Sequence, residues 1–173
     1  VGADEKTQSE GNFRKNVEAA TKALAQIPVP DAVWHLNDID VANHDVYWKT
    51  RNALSALSSA LYRFDEHKSK PEKVSHPRRV SIHVDRRART NTLRAIRHAQ
   101  ALDAGLELAK NLGNQPPNIC NPVYLAREGR KFGRLPKTSV RVLDEKQMRT
   151  MGMGAFMSVT RGSENPGKMI IVR

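Results

Sequence analysis

Seven arginines stand between positions 78 and 97: Arg78, Arg79, Arg86, Arg87, Arg89, Arg94 and Arg97. Guanidinium groups in that number can follow a phosphate backbone and displace its counterions, so all seven are candidate nucleic-acid contacts. No Phe, Tyr or Trp is interleaved with them, which disfavours recognition of a single strand by base stacking. A solvated linker and helix face is the plainer reading of the same residues. The other reactive side chains are scattered. His35, His44, His67, His76, His83 and His98 form no His-Glu-x-x-His, and there is no Cys-x-x-Cys and no Gly-x-x-x-x-Gly-Lys. His83 falls on the polar side of an alternating segment and has no ligand partner at a useful spacing, so the histidines are expected at the surface. Gly152-x-Gly154 lacks the third glycine of a dinucleotide loop and is read as a turn. Ser163 sits in Gly-Ser-Glu rather than Gly-x-Ser-x-Gly, so it is no nucleophile elbow. Asp144-Glu145 opens a helix, where carboxylates favour the positive end of the dipole. No residue of the chain is read as catalytic or as a metal ligand.

The elements that must position these groups are bounded by composition. The chain has 173 residues, 39% of them hydrophobic, and a net charge of +11; the mean hydropathy is −0.60. This suits one domain or two small ones. The charge is uneven: residues 1–67 are net −3, 68–98 net +8 and 99–173 net +6. Such a central block attracts polyanions, so a basic DNA-binding module using residues 68–98 is one functional expectation. No apolar run reaches the ~18–20 residues of a membrane span, and Val1-Gly2-Ala3-Asp4 opens no signal peptide. Both ends look like cuts, and an interior segment is the expectation. Cys120 is the single cysteine, which excludes an internal disulfide and fits a reducing compartment. Its thiol is expected to be buried.

Phe13, Val17, Ala20, Leu24 and Ile27 step by four and three, predicting an amphipathic helix over 12–27 that Pro28 and Pro30 stop. Residues 32–36 form a short strand candidate, and 38–45 is polar and loop-like. A second helix over 46–64 would bury Tyr47, Leu54, Leu57, Leu61 and Phe64. Trp34 and Trp48 fall in structured segments and are expected in the core. After a linker at 65–79, Val80, Ile82 and Val84 alternate as in a half-buried strand. A long helix over 92–112 carries a stripe of Ala95, Ala99, Leu102, Leu106 and Ala109, with Gly113 placed as its left-handed C′ residue. Pro116-Pro117 makes a rigid corner, and Asn121-Pro122 predicts an N-cap with proline at the first helical position. A helix to about Phe132, a strand at 139–143, a short helix from Asp144 through Met151, a mixed turn at 152–157 and a strand at 168–173 complete an α/β pattern.

Residues from about Ala95 onward resemble the leucyl (cytosol) aminopeptidase family, with the bacterial leucyl aminopeptidase A branch the nearest likeness. The helix Ala101-Leu-Asp-Ala-Gly-Leu-Glu-Leu-Ala-Lys-Asn-Leu-Gly-Asn114 is similar to that family's interdomain helix. Pro116-Pro-Asn-Ile-Cys-Asn-Pro-Val-Tyr-Leu-Ala126 resembles the entry into its catalytic domain. Val142-Leu-Asp-Glu-Lys-Gln-Met-Arg-Thr-Met-Gly-Met-Gly154, followed by Gly162-Ser163, matches the next strand, helix and turn. Asp45-Val-Tyr-Trp48 and Leu61-Tyr-Arg-Phe-Asp65 carry a looser likeness across residues 1–89.

The resemblance implies three parts: the later part of an N-terminal α/β domain (1–89), a connecting helix (90–113), and the first elements of a catalytic α/β domain (114–173). It implies removal of N-terminal residues, leucine preferred, from peptides, by two divalent metal ions, manganese or zinc, that activate a water. It also implies a cytoplasmic homohexamer with no membrane association. The family's ligands and catalytic groups lie in a glycine-rich Lys…Asp segment and in Asn-Thr-Asp-Ala-Glu-Gly-Arg. Neither occurs here, so no catalytic residue carries over, and these 173 residues alone are expected to be inactive.

Overall fold

The computed structural model describes residues 7–71 and 76–173. Helices and strands are mixed along the chain, an α/β arrangement in which α-helices follow one another directly in two places. The chain forms two compact units, Val1–Ala109 and Lys110–Arg173.

The first unit is built on two parallel strand pairs and two packed helices. Strand β1 (Thr7–Gln8) leads into α1 (Glu10–Leu24), β2 (Asp31–Trp34), a 3-10 turn at Leu36–Asp38, β3 (Asp40–Val41) and α2 (Val46–Leu61). Then come β4 (Arg79–Ile82), a 3-10 turn at Arg86–Ala88 and α3 (Arg89–Asn114). β1 pairs with β3 and β2 with β4, both parallel. The two-residue β3 lies in the stretch expected to be loop; its pairing is too short to leave a period in the sequence.

Ser9 caps α1, accepting from the Asn12 N–H at 3.3 Å. Phe13, Val17 and Thr21 are its buried residues. The helix ends at Leu24, short of the expected Ile27. Pro28 disfavours helical geometry at the residue before it, and the Val29 N–H bonds back to the Ile27 carbonyl at 2.9 Å in a tight turn instead. Asp45 caps α2 through the Trp48 N–H at 2.9 Å. α2 ends at Leu61 and buries Thr50, Ala53 and Leu57, so its inner face differs from the predicted stripe: Tyr47, Leu54 and Leu61 are only half-buried. The polar Thr50 can be buried because its hydroxyl accepts from the Asn37 side-chain amide at 2.8 Å. Phe13, Val17, Trp34, Val41 and Ala53 make the core, with Trp48 packed half-buried against it. His44 joins β3 to α1 through Glu10 at 3.1 Å. Hydrogen bonds from His44 and then Arg14 hold the Glu10 carboxyl below its ordinary range.

Helix α3 departs from expectation at both ends. It begins at Arg89, and it runs through Gly113 to Asn114; among the described glycines only Gly152 has a positive φ. Pro116, rather than a left-handed glycine, sets the stop. Its stripe also divides: Ala95 and Ala99 are buried with Thr92, whereas Leu102 and Leu106 are 46% and 47% exposed.

The second unit packs α4 (Pro122–Lys131) on the antiparallel pair β5 (Val140–Leu143) and β6 (Met169–Val172), with α5 (Glu145–Thr150) and α6 (Gly154–Thr160) between the strands in sequence. Gly129 brings α4 close to the sheet: a Cβ there would stand 2.7 Å from Cγ2 of Ile170. Asp144 and Gln147 form a reciprocal capping box on α5, at 2.8 and 3.0 Å. Helix α6 occupies part of the stretch expected to be a mixed turn. The turn itself is confined to residues around Gly152, whose φ of 72° needs a glycine. Leu143, Met148 and Met157 form the core, lined by Met153, Met169 and Ile171.

Candidate functional site

The register of β2 and β4 decides where the first group of reactive side chains lies. Asp31 faces Arg79 and Trp34 faces Ile82, so the next positions, His35 and His83, also face each other. The His83 N–H donates to the Trp34 carbonyl at 2.9 Å, extending the ladder by one bond. Residues in register on parallel strands project to the same side, and the two imidazoles stack with centroids 4.7 Å apart. The 3-10 turn that follows His35 then brings Asp38 to them. Nδ1 of His35 lies 3.3 Å from Oδ2 of Asp38, and Nδ1 of His83 lies 3.2 Å from the same oxygen. Three hydrogen bonds fix the turn: Asn37 donates to Thr50 in a buried bond, and Lys49 donates to the carbonyls of Asn37 and Ile39 in part-buried ones at 2.7 and 2.9 Å. Partial desolvation raises the Asp38 pKa, but hydrogen bonds with His83 and then His35 outweigh it and keep the carboxyl below its ordinary value. All three side chains are exposed.

His35 and His83 are exposed, as expected of surface histidines, whereas His44 is half-buried. The fold gives His83 two neighbours, His35 and Asp38, that its spacing in sequence does not show. Among the described residues, His35, Asp38 and His83 are the group of three whose ligand atoms lie within 4.8 Å of one another. The signal was a matched pair of histidines at the carboxyl ends of two strands. It becomes visible only once those strands are known to pair.

The seven arginines are all exposed. Arg79 opens β4 and Arg78 immediately precedes it; their N–H groups share the Pro30 carbonyl at 3.3 and 2.8 Å. Arg86 and Arg87 lie beyond the other end of that strand, in the second 3-10 turn, and Arg89, Arg94 and Arg97 are on α3. Two of them have partners of their own. The Arg79 Nε is 3.9 Å from Asp31, and the Arg94 guanidinium lies 4.9 Å from the centroid of the Tyr47 ring. Tyr47 is thus an aromatic neighbour that sequence order alone did not supply.

The proline corner is assembled from short-range bonds. The Pro116 carbonyl accepts from the N–H groups of Ile119 and Cys120, both at 2.9 Å. Asn121 caps α4 through one oxygen, which accepts from Val123 at 3.1 Å and Tyr124 at 3.0 Å. The Cys120 thiol, expected to be buried, is half-buried.

The model of the cytosol aminopeptidase family's N-terminal domain matches residues 1–71, and the model of the same family's catalytic domain matches residues 107–173. The chain belongs to the cytosol aminopeptidase family. The Arg78 to Arg97 segment lies between the two matched ranges of this aminopeptidase-family chain. A protein of Azotobacter vinelandii named "Probable cytosol aminopeptidase" is 38% identical over 176 residues, which covers 99% of this chain and 35% of the relative. One of the same name from Pseudomonas fluorescens is 36% identical over 174 residues, covering 100% of this chain and 35% of the relative. The chain therefore spans about a third of the length of the curated relatives it matches. Among solved structures, the bottromycin maturation enzyme BotP in complex with Mn superposes with a TM-score of 0.76 at 21% identity, covering 92% of this chain and 32% of that one. The K354E mutant of tomato leucine aminopeptidase gives 0.71 at 24% identity, covering 95% of this chain and 33% of that one. At these identities the two superpositions speak for the fold. Among the described residues, no helix of this cytosol aminopeptidase segment is long and apolar enough to cross a membrane.

Proposed function

We propose that this chain is a segment of a metal-dependent aminopeptidase that removes N-terminal residues, leucine preferred, from peptides. The observation that carries the reading is the pair of matches to two domains of one peptidase family, in order, the second beginning in the last turns of α3. The segment comprises part of the N-terminal domain over residues 1–89, the connecting helix over 90–113 and the start of the catalytic domain over 114–173. The whole protein is a cytoplasmic homohexamer that works with two divalent ions, manganese or zinc.

The residues described here do not fit a two-metal centre. Such a centre needs several carboxylates to hold two ions about 3.5–4 Å apart, and the group of His35, Asp38 and His83 offers one. The paired ions are therefore assigned to ligands outside these 173 residues, and no catalytic step is placed on this segment. The test is hydrolysis of a leucine anilide by the full-length gene product and by residues 1–173. The full-length protein should turn over, lose at least about a hundredfold in rate on chelation, and recover with Mn²⁺ or Zn²⁺; the segment should be inactive. A full-length product without metal-dependent hydrolysis would overturn the reading.

A second reading keeps Arg78, Arg79, Arg86, Arg87, Arg89, Arg94 and Arg97 as contacts to a polyanion such as DNA; all seven are exposed, as a plain solvated surface also requires. Affinity for duplex DNA should then fall with salt at a log–log slope of about −0.9 per phosphate contacted. Replacing Arg86, Arg87 and Arg89 together by Ala should flatten that slope by roughly 2 to 3. A slope unchanged by the triple replacement would remove this segment from any such interface.

A further inference from the structure

We propose that His35, Asp38 and His83 form a site for a single divalent transition-metal ion, separate from the paired ions of peptide hydrolysis. The site takes Nδ1 from each imidazole and one or both carboxylate oxygens of Asp38, and it leaves an outward position for water.

Distance is the first argument. Ligand atoms about 2.0–2.1 Å from a tetrahedral ion lie roughly 3.3–3.4 Å from one another. The observed separations from Oδ2 of Asp38 are 3.3 Å to His35 and 3.2 Å to His83, and all the ligand atoms fall within 4.8 Å. Both nitrogen-to-oxygen separations already match such a shell, and the two rings, stacked at 29° to each other, need to turn about their side-chain bonds for both nitrogens to point at one ion.

Placement is the second argument. The histidines occupy facing positions just past the carboxyl ends of two parallel strands, which is where open α/β sheets hold ligands. Asp38 ends a turn fixed from below by Asn37, Thr50 and Lys49, so its carboxylate is held ready by a rigid support. The same nitrogen of each ring faces the one carboxylate. In the hydrogen-bonded arrangement each Nδ1 donates a proton to Asp38. An entering ion takes that place once the ring proton sits on Nε2, so binding requires the change of tautomer.

Donor type sets the ion class. Two imidazoles and one carboxylate suit Zn²⁺, Co²⁺ or Ni²⁺, whereas Mg²⁺ and Ca²⁺ prefer all-oxygen shells. An ion here would tie β2, β4 and the 3-10 turn together at one point.

The test uses the 173-residue chain stripped with a chelator and titrated with ZnCl₂ by calorimetry, and with CoCl₂ by visible absorption. One ion per chain is expected. The ring C–H resonances of His35 and His83 should shift in step with saturation while those of His67 and His76 stay in place. His35→Ala and His83→Ala should each weaken binding by about tenfold or more, since even the loss of an outer-shell partner costs that much. Asp38→Asn should do the same, and His67→Ala should leave binding unchanged. The replaced groups are exposed, so circular dichroism should match the unaltered chain. The histidine resonances of the unaltered chain give an independent reading if a variant misfolds. Absence of saturable binding, resonance shifts confined to other histidines, or an affinity in the His35→Ala and His83→Ala variants equal to that of the unaltered chain would each overturn the assignment.

Discussion

Replacing Phe13 by Ala is expected to lower the unfolding free energy by about 3–5 kcal/mol, the upper part of the range for core truncations. Phe13 is 0% exposed, and its ring meets Trp48 with centroids 5.6 Å apart. Its buried neighbours are Val17, Trp34, Val41 and Ala53. These are rigid aromatic, β-branched or very small side chains, so few rotamer changes can fill the space the ring leaves. A domain of this size has about 5–15 kcal/mol in total, so the loss would remove much of it. Urea unfolding followed by tryptophan fluorescence measures the effect. Val159→Ala, at a position 84% exposed, is the control and should change stability by less than about 0.5 kcal/mol. A Phe13→Ala midpoint equal to that of the control would refute the placement of Phe13 in the core.

Leu143→Ala is the second large effect, at about 2–3 kcal/mol, the lower end for a buried leucine. Leu143 is 1% exposed at the end of β5. Its surroundings differ in kind from those of Phe13: Met148, Met157, Met153 and Met169 line the same core. Unbranched thioether chains can swing into a gap, which reduces the residual cavity. Leu143→Met keeps volume and should cost less than about 1.5 kcal/mol. If Leu143→Ala costs as much as Phe13→Ala, the methionines do not relax, and that explanation fails.

How far the sequence alone could reach depended on the range of the interaction. Caps formed by residues two to four apart were legible: Asn121 with Pro122 on α4 and Asp144 on α5 both act over such distances. The inner face of α1 was legible at Phe13 and Val17 because apolar spacing announces it. The inner face of α2 was legible at Leu57 but not at Thr50, which is buried only by virtue of Asn37, thirteen positions earlier. The stop at Gly113 was misplaced because a glycine after a helical run resembles a left-handed cap unless a later proline already ends the helix. The His35, Asp38 and His83 group was invisible for the strongest reason. Its members meet only through the parallel pairing of β2 and β4, and no local pattern reports which strands pair.

The corner from Pro116 to Tyr124 has a consequence for the order of events during synthesis. Its hydrogen bonds all close within four residues of chain, so it can form within about a microsecond of emerging from the ribosome. The strand β6, which carries the Ile170 side chain that meets Gly129 of α4, is made only after Met169 is added. At about 5–20 residues per second that delay is roughly 2 to 9 seconds. The direction in which α4 sets out is thus written into the nascent chain long before the surface it will rest on exists.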